Sequence, residues 1–386
     1  MKIVHICLCG PFTDGFNYQE NKLAKYHKRL GNDVTVIASQ WIWNTEGKYS
    51  ELCKSDYLNE DGVKIIRLPL KSGTIDRRLK TFPDFCHRIH SEQPDILFIH
   101  GCQFLDILKI AKYLKLHSEV RTYVDNHVDW SNGAHGWISK NILHKGIWKY
   151  CVSKTAPYVT KFYGVLPARV DFLKEMYGLP ENKCELLVMG ADDELVEKVT
   201  KPDVRSIIRW QYGIKEDDFL IVTGGKINHH RPETLELMRA VVRIQNAQVK
   251  LLIFGTIAEE LEAGFNRLLL EGKGRIAYVG WQQSAKTYEF LASSDLAVFL
   301  GLHSVMWEQA AALGVPCIYR KIKGFDHVDL GGNCRLLEQV NCESLYEEIL
   351  SIAENKKVYV EMKKVAEEKG MERFSYRKIA EESIQV

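Results

Sequence analysis

Two cations close to a pair of glycines are the sequence feature with the clearest chemistry. An apolar run of strand length ends at Gly224 and Gly225, Lys226 follows at once, and Arg231 lies at the start of the next helical pattern. Glycine lets the backbone approach a ligand closely, and cations beside a helix N-terminus suit a diphosphate. The segment therefore indicates a phosphate site, although two solvated cations in a loop would give the same pattern.

Histidines at the ends of strand-like runs are the second candidates for chemistry. His127 directly follows one such run, and we interpret it as functional; the alternative is a polar strand-end residue satisfied by Asp125 or Asp129. His100 precedes a glycine at the end of another run. A His-Gly pair there also serves simply to turn the chain.

The sequence also contains an adjacent pair of histidines and several tryptophans in loops. The adjacent His229 and His230 project in different directions and lack an evident third ligand, so no metal site is expected. Tryptophans in loops after strands could form an aromatic platform for an acceptor sugar or lipid, and core packing explains them equally well. These are Trp41, Trp43, Trp130 and Trp137.

The elements that position these residues follow from an alternation along the whole chain. Near-continuous apolar runs of strand length alternate with helical patterns, which indicates parallel sheets covered by helices on both faces. The pattern restarts after a polar stretch near residue 200. A length of 386 residues suits two domains. We therefore predict an α/β protein with two Rossmann-like domains, residues 1–198 and 199–373.

Several classes of protein are disfavoured by features that the sequence lacks. The first strand-to-helix loop has neither the G-x-G-x-x-G of a dinucleotide site nor the lysine of a Walker A loop. A net charge of +2 gives no reason to expect nucleic acid. The first apolar run is too short for a secretory signal, and no run reaches the length of a membrane span. The ten scattered cysteines suit a reducing compartment, so we expect a cytoplasmic protein.

The second half of the chain resembles the donor-binding domain of the family-4 (glycogen-synthase-like, retaining) glycosyltransferases. The segments that carry the resemblance are Leu251–Thr256, Ile276–Trp281, Ala292–Phe299 and His303–Pro316. In that family a Gly-Arg-x4-Lys element binds the donor diphosphate. Gly225-Lys226 matches the Gly-Arg pair and Arg231 takes the place of the lysine, so that the basic residue types are exchanged and both charges are kept.

The family's Glu-x7-Glu motif is only half present. Glu308 matches the second glutamate, and the resemblance implies that it accepts the ribose hydroxyls, as carboxylates commonly do in nucleotide sites. The first glutamate, which reaches the transferred sugar in the family, would fall at Leu300. We expect His303 and Ser304 to supply substitute contacts; the alternative for His303 is a loop residue capped against the backbone. The implied donor-binding set is Gly225, Lys226, Arg231, Leu302, His303, Ser304, Val305 and Glu308.

The first half resembles the family's acceptor domain more loosely. The segment around His127 falls where the family carries a histidine close to the reacting sugar, so His127 joins Lys226 and Arg231 as a catalytic candidate. The resemblance also implies a GT-B architecture, with two domains facing across a cleft and a C-terminal helix, residues 374–386, packing back on the first. The implied acceptor-binding residues are Asp14, Gly15, Tyr18, His100 and His127.

The resemblance implies a hexosyltransferase-type enzyme that moves a sugar, with retention of configuration, from a UDP- or GDP-linked donor to a saccharide or lipid-linked acceptor. It places the chain in the synthesis of a surface polysaccharide or glycoconjugate, with no cofactor, no required metal and no nucleic-acid partner. The expected location is cytoplasmic, with room for peripheral association at the inner face of the membrane. Two alternatives stay open: a sugar-nucleotide epimerase of the same architecture, and an inactive scaffold or partner protein, which the leucine at position 300 motivates.

Overall fold

The computed structural model describes residues 1–44, 48–69, 78–83, 85–229 and 232–385. The chain divides into two compact units, one formed by residues 1–189 and 376–386 and the other by residues 190–375. Both are α/β units, which confirms the predicted fold class. In the part of the chain that the structure describes, no helix combines the length and the apolar character that crossing a bilayer requires.

The N-terminal unit is built on a large, mostly parallel sheet. Its strands are β1 (Lys2–Cys7), β2 (Asp33–Ser39), β3 (Trp41–Trp43), β4 (Tyr49–Glu51), β5 (Asp56–Leu58), β6 (Lys64–Leu68), β7 (Ile96–His100), β8 (Arg121–Asn126), β9 (Lys161–Gly164) and β10 (Cys184–Leu186). The sheet order is β10-β9-β8-β7-β1-β2-β6-β5, and β3 and β4 pair separately. Apart from the antiparallel β5, the paired strands of the large sheet are parallel. The order reverses between β1 and β7, which makes their carboxyl ends the switch point of the sheet.

Helices cover this sheet and bury its apolar strands. They are α1 (Gln19–Arg29), α2 (Phe85–Glu92), α3 (Ile107–Leu116), α4 (Lys149–Thr155) and α5 (Pro167–Tyr177), with the short turn Gly136–Ile138 and the π-helical Ser139–Trp148 leading into α4. The strand β1 is buried from its second residue onward because both of its faces are covered. The C-terminal helix Tyr376–Glu382 packs on α1, where the rings of Tyr26 and Tyr376 stack with centroids 6.4 Å apart.

The C-terminal unit has a second sheet, in which every pair of neighbouring strands is parallel. Its strands are β11 (Phe219–Ile227), β12 (Val249–Ile257), β13 (Ile276–Tyr278), β14 (Leu296–Phe299), β15 (Cys317–Arg320) and β16 (Cys334–Leu337). Its helices are α6 (Asp193–Val199), α7 (Pro202–Gln211), α8 (Glu233–Arg243), α9 (Glu259–Glu271), α10 (Ser284–Ser293), α11 (Met306–Ala312), α12 (Cys342–Ala353) and α13 (Lys356–Phe374). The order β13-β12-β11-β14-β15-β16 places the switch point between β11 and β14.

The boundary between the units falls between Met189 and Gly190 rather than after residue 198. The reason is local packing: α6 contacts α10, and the N–H of Asp192 donates a hydrogen bond of 2.9 Å to the hydroxyl of Tyr288. The Asp192 side chain also accepts from the N–H of Glu194, which caps α6. The second boundary lies after Ser375, so Phe374 ends α13 instead of starting the C-terminal helix.

Candidate functional site

A pocket of about 460 Å³, open to solvent, lies at the carboxyl edge of the second sheet. It is formed where β11 and β14 end, which is the switch point at which doubly wound sheets bind their ligands. The loop after β14 and the first turn of α8 complete it. Its lining includes Thr223, Gly224, Lys226, Glu233, Thr234, Leu300, Gly301, Leu302, Ser304, Met306 and Trp307.

Glycines allow the strands beside this pocket to approach closely. A Cβ at Gly255 would lie 1.9 Å from the carbonyl oxygen of Gly225, its partner on the neighbouring strand. Gly225 itself has φ +128°, a conformation that residues with a side chain rarely adopt. The strand β11 continues past both glycines to Ile227 and carries Lys226, which lines the pocket.

Lys226 is exposed and lines the pocket, as a residue that binds a diphosphate should. The second predicted cation, Arg231, lies outside the described residues, as does His230. Glu233 is a lining residue that the sequence analysis missed. Its Oε1 pairs with Arg320 at 2.9 Å, whereas its Oε2 is buried without a hydrogen-bond partner in the described structure. Its position in the first turn of α8 was the signal available in the sequence.

Glu308 lies in a closed polar cluster with two histidines. Its Oε1 accepts hydrogen bonds from Nε2 of His303 and Nε2 of His327, both at 2.8 Å, and all three side chains are buried. Burial alone would raise the pKa of Glu308, but the two histidines outweigh it and lower that pKa to about 2. Oε2 of Glu308 is buried with no hydrogen-bond partner among the described residues. The partner His327 was not predicted.

The remaining donor-side candidates divide between the pocket and the core. Leu302 and Ser304 line the pocket, and Val305 directly precedes α11. Leu300 also lines it, but its side chain is only 5% exposed and packs in the core of the unit. His303, expected to touch the sugar, instead directs Nε2 at Glu308. Neither His303 nor Glu308 is a lining residue of the pocket.

In the N-terminal unit, His100 and His127 meet on one carboxylate. Nδ1 of His100 lies 2.6 Å from Oδ2 of Asp125, and Nε2 of His127 lies 3.4 Å from Oδ1. The N–H of Gly101 also donates to Oδ1. Burial favours the neutral acid, yet the two histidines lower the pKa of Asp125 well below its usual range. His127 remains 34% exposed, so the cluster reaches solvent at the carboxyl edge of the sheet.

Two histidines that the sequence analysis did not select extend this cluster into the core. Nδ1 of His5 lies 2.9 Å from Nε2 of His100, and Nε2 of His5 lies 3.0 Å from Nδ1 of His27. His5 and His27 are completely buried. The polar residue inside the apolar run of β1 was the sequence signal, because a buried polar side chain needs a hydrogen-bond partner.

The other predicted acceptor-side residues lie in the loop after β1, at the same edge. Asp14 accepts hydrogen bonds at Oδ2 from Tyr57 and from the buried Arg67, at 2.5 and 3.2 Å, so it anchors the loop. Gly15 adopts φ +74° and Tyr18 is exposed just before α1. The edge thus collects the residues that were expected to bind an acceptor.

Among the residues that the structure describes, two groups have the geometry to be considered for a metal ion. They are His100 with Asp125 and His127, and His303 with Glu308 and His327, in each of which the ligand-type atoms lie within 4.8 Å of one another. In both groups hydrogen-bond and ion-pair contacts account for the close approach. The expectation that no metal is required therefore stays a prediction.

Known proteins share the fold of this chain, and one protein family matches part of its sequence. The two Rossmann-like units have the GT-B fold of known glycosyltransferases. Residues 204–369, which lie within the C-terminal unit, match the family described as glycosyl transferases group 1. No curated protein matches the sequence.

Solved structures share this fold over nearly the entire chain. HepE (Alr3699) from Anabaena in complex with UDP has a TM-score of 0.69 at 14% identity, over 99% of this chain and 98% of its own. WaaG, a glycosyltransferase involved in lipopolysaccharide biosynthesis, has a TM-score of 0.67 at 13% identity, over 99% of this chain and 100% of its own. UDP-GlcNAc 2-epimerase from Neisseria meningitidis bound to UDP-GlcNAc has a TM-score of 0.64 at 13% identity, over 100% of this chain and 99% of its own.

Proposed function

We propose that the protein is a retaining glycosyltransferase that takes a hexose from a nucleoside-diphosphate sugar. The observation that carries the proposal is the pocket at the switch point of the second sheet, with Lys226 at its mouth and close-packed glycines at its side. Its residues lie inside the segment that matches group 1 glycosyl transferases. UDP-linked sugars are the first donors to test because HepE has been solved with UDP-glucose.

In this proposal Lys226 stabilises the negative charge of the departing diphosphate. An exposed ammonium at a glycine-bordered pocket can form a charge-assisted hydrogen bond to phosphate. Arg231 is proposed to add the second charge. Glu308 would accept the ribose hydroxyls through Oε2, the oxygen that the two histidines leave without a hydrogen bond.

Because Leu300 stands at the position of the first glutamate of the Glu-x7-Glu motif, other groups must recognise the sugar. Leu300 supplies an apolar contact at the pocket wall, and Ser304 supplies a hydroxyl in the same loop. His303 acts in this proposal by holding Glu308 rather than by touching the sugar. Leu300→Glu should not raise activity, because it would bury an unpartnered charge in the core of the unit.

We further propose a saccharide or lipid-linked acceptor that binds at the carboxyl edge of the first sheet, next to His127. An apolar surface on the helical segment before α4 supports peripheral contact with a membrane. Trp137 is 71% exposed there, Ile138 and Ile142 are also exposed, and Lys140 and Lys145 lie among them; the exposed Tyr150 follows at the start of α4. Such a mixture of aromatic and basic residues suits an anionic bilayer surface.

The decisive experiment compares Lys226→Ala with the wild type in donor binding and sugar transfer. Removal of one charge-assisted contact should weaken donor binding by about 1.5–3 kcal/mol, or roughly 10- to 150-fold. Lys273→Ala is the matched control, because this exposed lysine lies in the turn before β13, at the opposite edge of the sheet. Equal donor affinity in wild type and Lys226→Ala would place the phosphate site elsewhere.

A sugar-nucleotide epimerase is the second candidate, favoured by the fold that the chain shares with the Neisseria enzyme. Incubation with UDP-GlcNAc in the absence of acceptor separates the two candidates. An epimerase converts the sugar while the nucleotide stays attached. A transferase releases UDP, either slowly to water or rapidly when an acceptor is added.

A further inference from the structure

Glu233 carries an acceptor atom that has no donor among the described residues. It is the first residue of α8, and it lines the pocket of the C-terminal unit. Nη1 of Arg320 donates to its Oε1 over 2.9 Å, whereas Oε2 is buried with no hydrogen-bond partner in the described part of the chain. A buried polar atom without a partner costs free energy, so such an atom on a residue that lines a pocket points to a ligand that supplies the hydrogen bond.

The charged side chains that line the pocket are of opposite sign and lie on different elements. Among the described lining residues, Lys226 on β11 is the one cation and Glu233 on α8 is the one carboxylate. The other lining side chains are apolar or carry a hydroxyl, and the hydroxyl of Thr223 already donates to the carbonyl oxygen of Val298 at 2.6 Å. A ligand that suits both charges has an anionic part and a part that donates hydrogen bonds.

The carboxylate of Glu233 is held by its ion pair and can still be reached from the pocket. Arg320 ends β15 and α8 follows β11, so the ion pair joins the elements after the two strands that flank β14. Leu300, which directly follows β14, lines the same pocket. The Glu233 side chain is 13% exposed, and a carboxylate turns readily about its last bond, so an incoming group can reach Oε2 without movement of the backbone.

The chemistry of Oε2 decides which part of a nucleoside-diphosphate sugar it contacts. A carboxylate oxygen only accepts hydrogen bonds, and it repels phosphate, which is negative and offers no donor. Hydroxyl groups donate. In the proposed function the ribose hydroxyls bind Glu308, which does not line this pocket, so the hydroxyls that reach the pocket belong to the transferred sugar. Leu300 accepts no hydrogen bond, which leaves the role of acceptor to Glu233.

We propose that Glu233 determines the sugar specificity of the pocket: Oε2 accepts a hydrogen bond from a hydroxyl of the transferred sugar, and the negative charge disfavours sugars that carry a carboxylate. Arg320 is a positioning residue, because it holds Oε1. The substrate class is then a nucleoside-diphosphate-linked neutral hexose rather than a uronic acid. This inference rests on the proposed function, since it needs a donor whose diphosphate lies at Lys226.

Calorimetric titration of the full-length protein compares the free nucleotide with the nucleotide sugar. The probes are UDP and UDP-glucose, with GDP and GDP-mannose as the second pair if the wild type binds guanine nucleotides instead. Glu233→Ala should weaken binding of the nucleotide sugar by roughly 10-fold or more, because a hydrogen bond to a charged group is lost. It should not weaken binding of the free nucleotide. Glu233→Gln keeps an acceptor oxygen and should lose less affinity for the nucleotide sugar.

The charge of Glu233 is tested with UDP-glucuronic acid, or with GDP-mannuronic acid for the second pair. The wild type should bind the acidic sugar more weakly than the neutral one, and Glu233→Gln should narrow this ratio by about fivefold or more, because like charges no longer meet. Glu259→Gln is the matched control. Glu259 is the first residue of α9, is exposed and is not a lining residue of the pocket, so its replacement should change neither affinity nor ratio.

Equal losses for nucleotide and nucleotide sugar in Glu233→Ala would assign Glu233 to the base, the ribose or the fold and overturn the proposal. Unchanged affinity for both ligands would overturn it as well. If urea denaturation shows that Glu233→Ala does not fold, Glu233→Gln decides by the same comparison. A wild type that binds no nucleotide sugar would remove the proposed function and the sugar contact together. A wild type that transfers sugar, with unaltered affinities in Glu233→Ala, would remove only the role of Glu233.

Discussion

Each unit contains a buried carboxylate that contacts two histidines. The two clusters differ in whether they are closed or extend into the core and to solvent. Glu308 receives both histidines on a single oxygen, and the side chains of the whole cluster are buried. Asp125 receives one histidine on each oxygen, continues into the core through His5 and His27, and reaches solvent at His127. The first arrangement holds the Glu308 side chain in place and leaves its Oε2 for the proposed contact with ribose. The second offers a titrating group to a ligand.

The difference shows that residue type does not determine role. His303 and His127 both lie near the carboxyl ends of parallel strands, and both were expected to approach the sugar. Burial separates them, because His303 is enclosed by Trp307 and Phe325 with ring centroids 5.4 and 5.8 Å away, whereas His127 stays partly exposed.

The largest loss of stability is expected when Glu308, which accepts hydrogen bonds from His303 and His327, is replaced. Glu308→Ala leaves two buried N–H donors without a partner and should reduce the free energy of unfolding by about 3 kcal/mol or more. Urea denaturation measures this loss. Glu308→Gln keeps a carbonyl oxygen in place and should cost clearly less; an equal cost for Ala and Gln would mean that Glu308 does not organise the two histidines.

The two units should lose stability in different pH ranges. The pKa of His27 falls from 6.5 to about 4 on folding, so below pH 6.5 the unfolded chain binds the proton more readily and stability declines as the pH falls toward 4. This amounts to about 2 kcal/mol between pH 7 and pH 5. The pKa of Glu308 falls to about 2, so its contribution is complete above pH 4.5 and is lost only as the pH falls through 2.

Denaturation at pH 7 and pH 5, compared between wild type and His27→Gln, tests the first of these ranges. The variant will be less stable at pH 7, because Ala380 and His5 each lose one of their hydrogen-bond partners, but its stability should change less with pH. Identical pH slopes in the two proteins would show that His27 does not carry the effect. Hydrogen exchange resolved by unit would then locate the acid-sensitive region.

The smallest changes in stability are expected for substitutions of single histidines. His327→Leu removes one hydrogen bond to the buried carboxylate and should cost about 1.5 kcal/mol. His127→Leu, at a partly exposed position, should change the free energy of unfolding by no more than about 0.5 kcal/mol while it impairs sugar transfer. A larger loss of stability for His127→Leu than for His327→Leu would reverse the distinction between the two clusters.

The sequence predicted the fold well because its signals are local. Apolar runs such as Asp33–Ser39 and Arg121–Asn126 form strands, since length and periodicity distinguish a buried strand without tertiary information. Lys226 was predicted to bind a diphosphate from its neighbouring glycines, the second cation at the start of the next helical pattern and the family resemblance; it lines the pocket, and its role stays a prediction. The close approach of Gly255 to Gly225 needed the pairing of two strands, which no single segment contains.

Contacts between segments that are distant in the sequence limited what could be predicted about the site. His5 and His27 gave no motif, and their importance appears only when β1, α1 and β7 are brought together. The pairing of His327 with Glu308 likewise depends on the loop after β15 returning to α11. Side-chain direction could not be read from spacing either, so His303 was expected in the pocket and is found in the buried cluster.

The contact between His27 and Ala380 has a consequence for biosynthesis. The N-terminal unit is completed by residues 376–386, which leave the ribosome only after residues 190–375 have been made. At about 5–20 residues per second this interval lasts roughly 10–40 s. Throughout that time His27 lacks its contacts with Ala380 and Ser383, and the inner face of α1 lacks its cover. A nascent chain stalled before residue 376 should therefore bind chaperones through its first unit, even though every strand of that unit has already emerged.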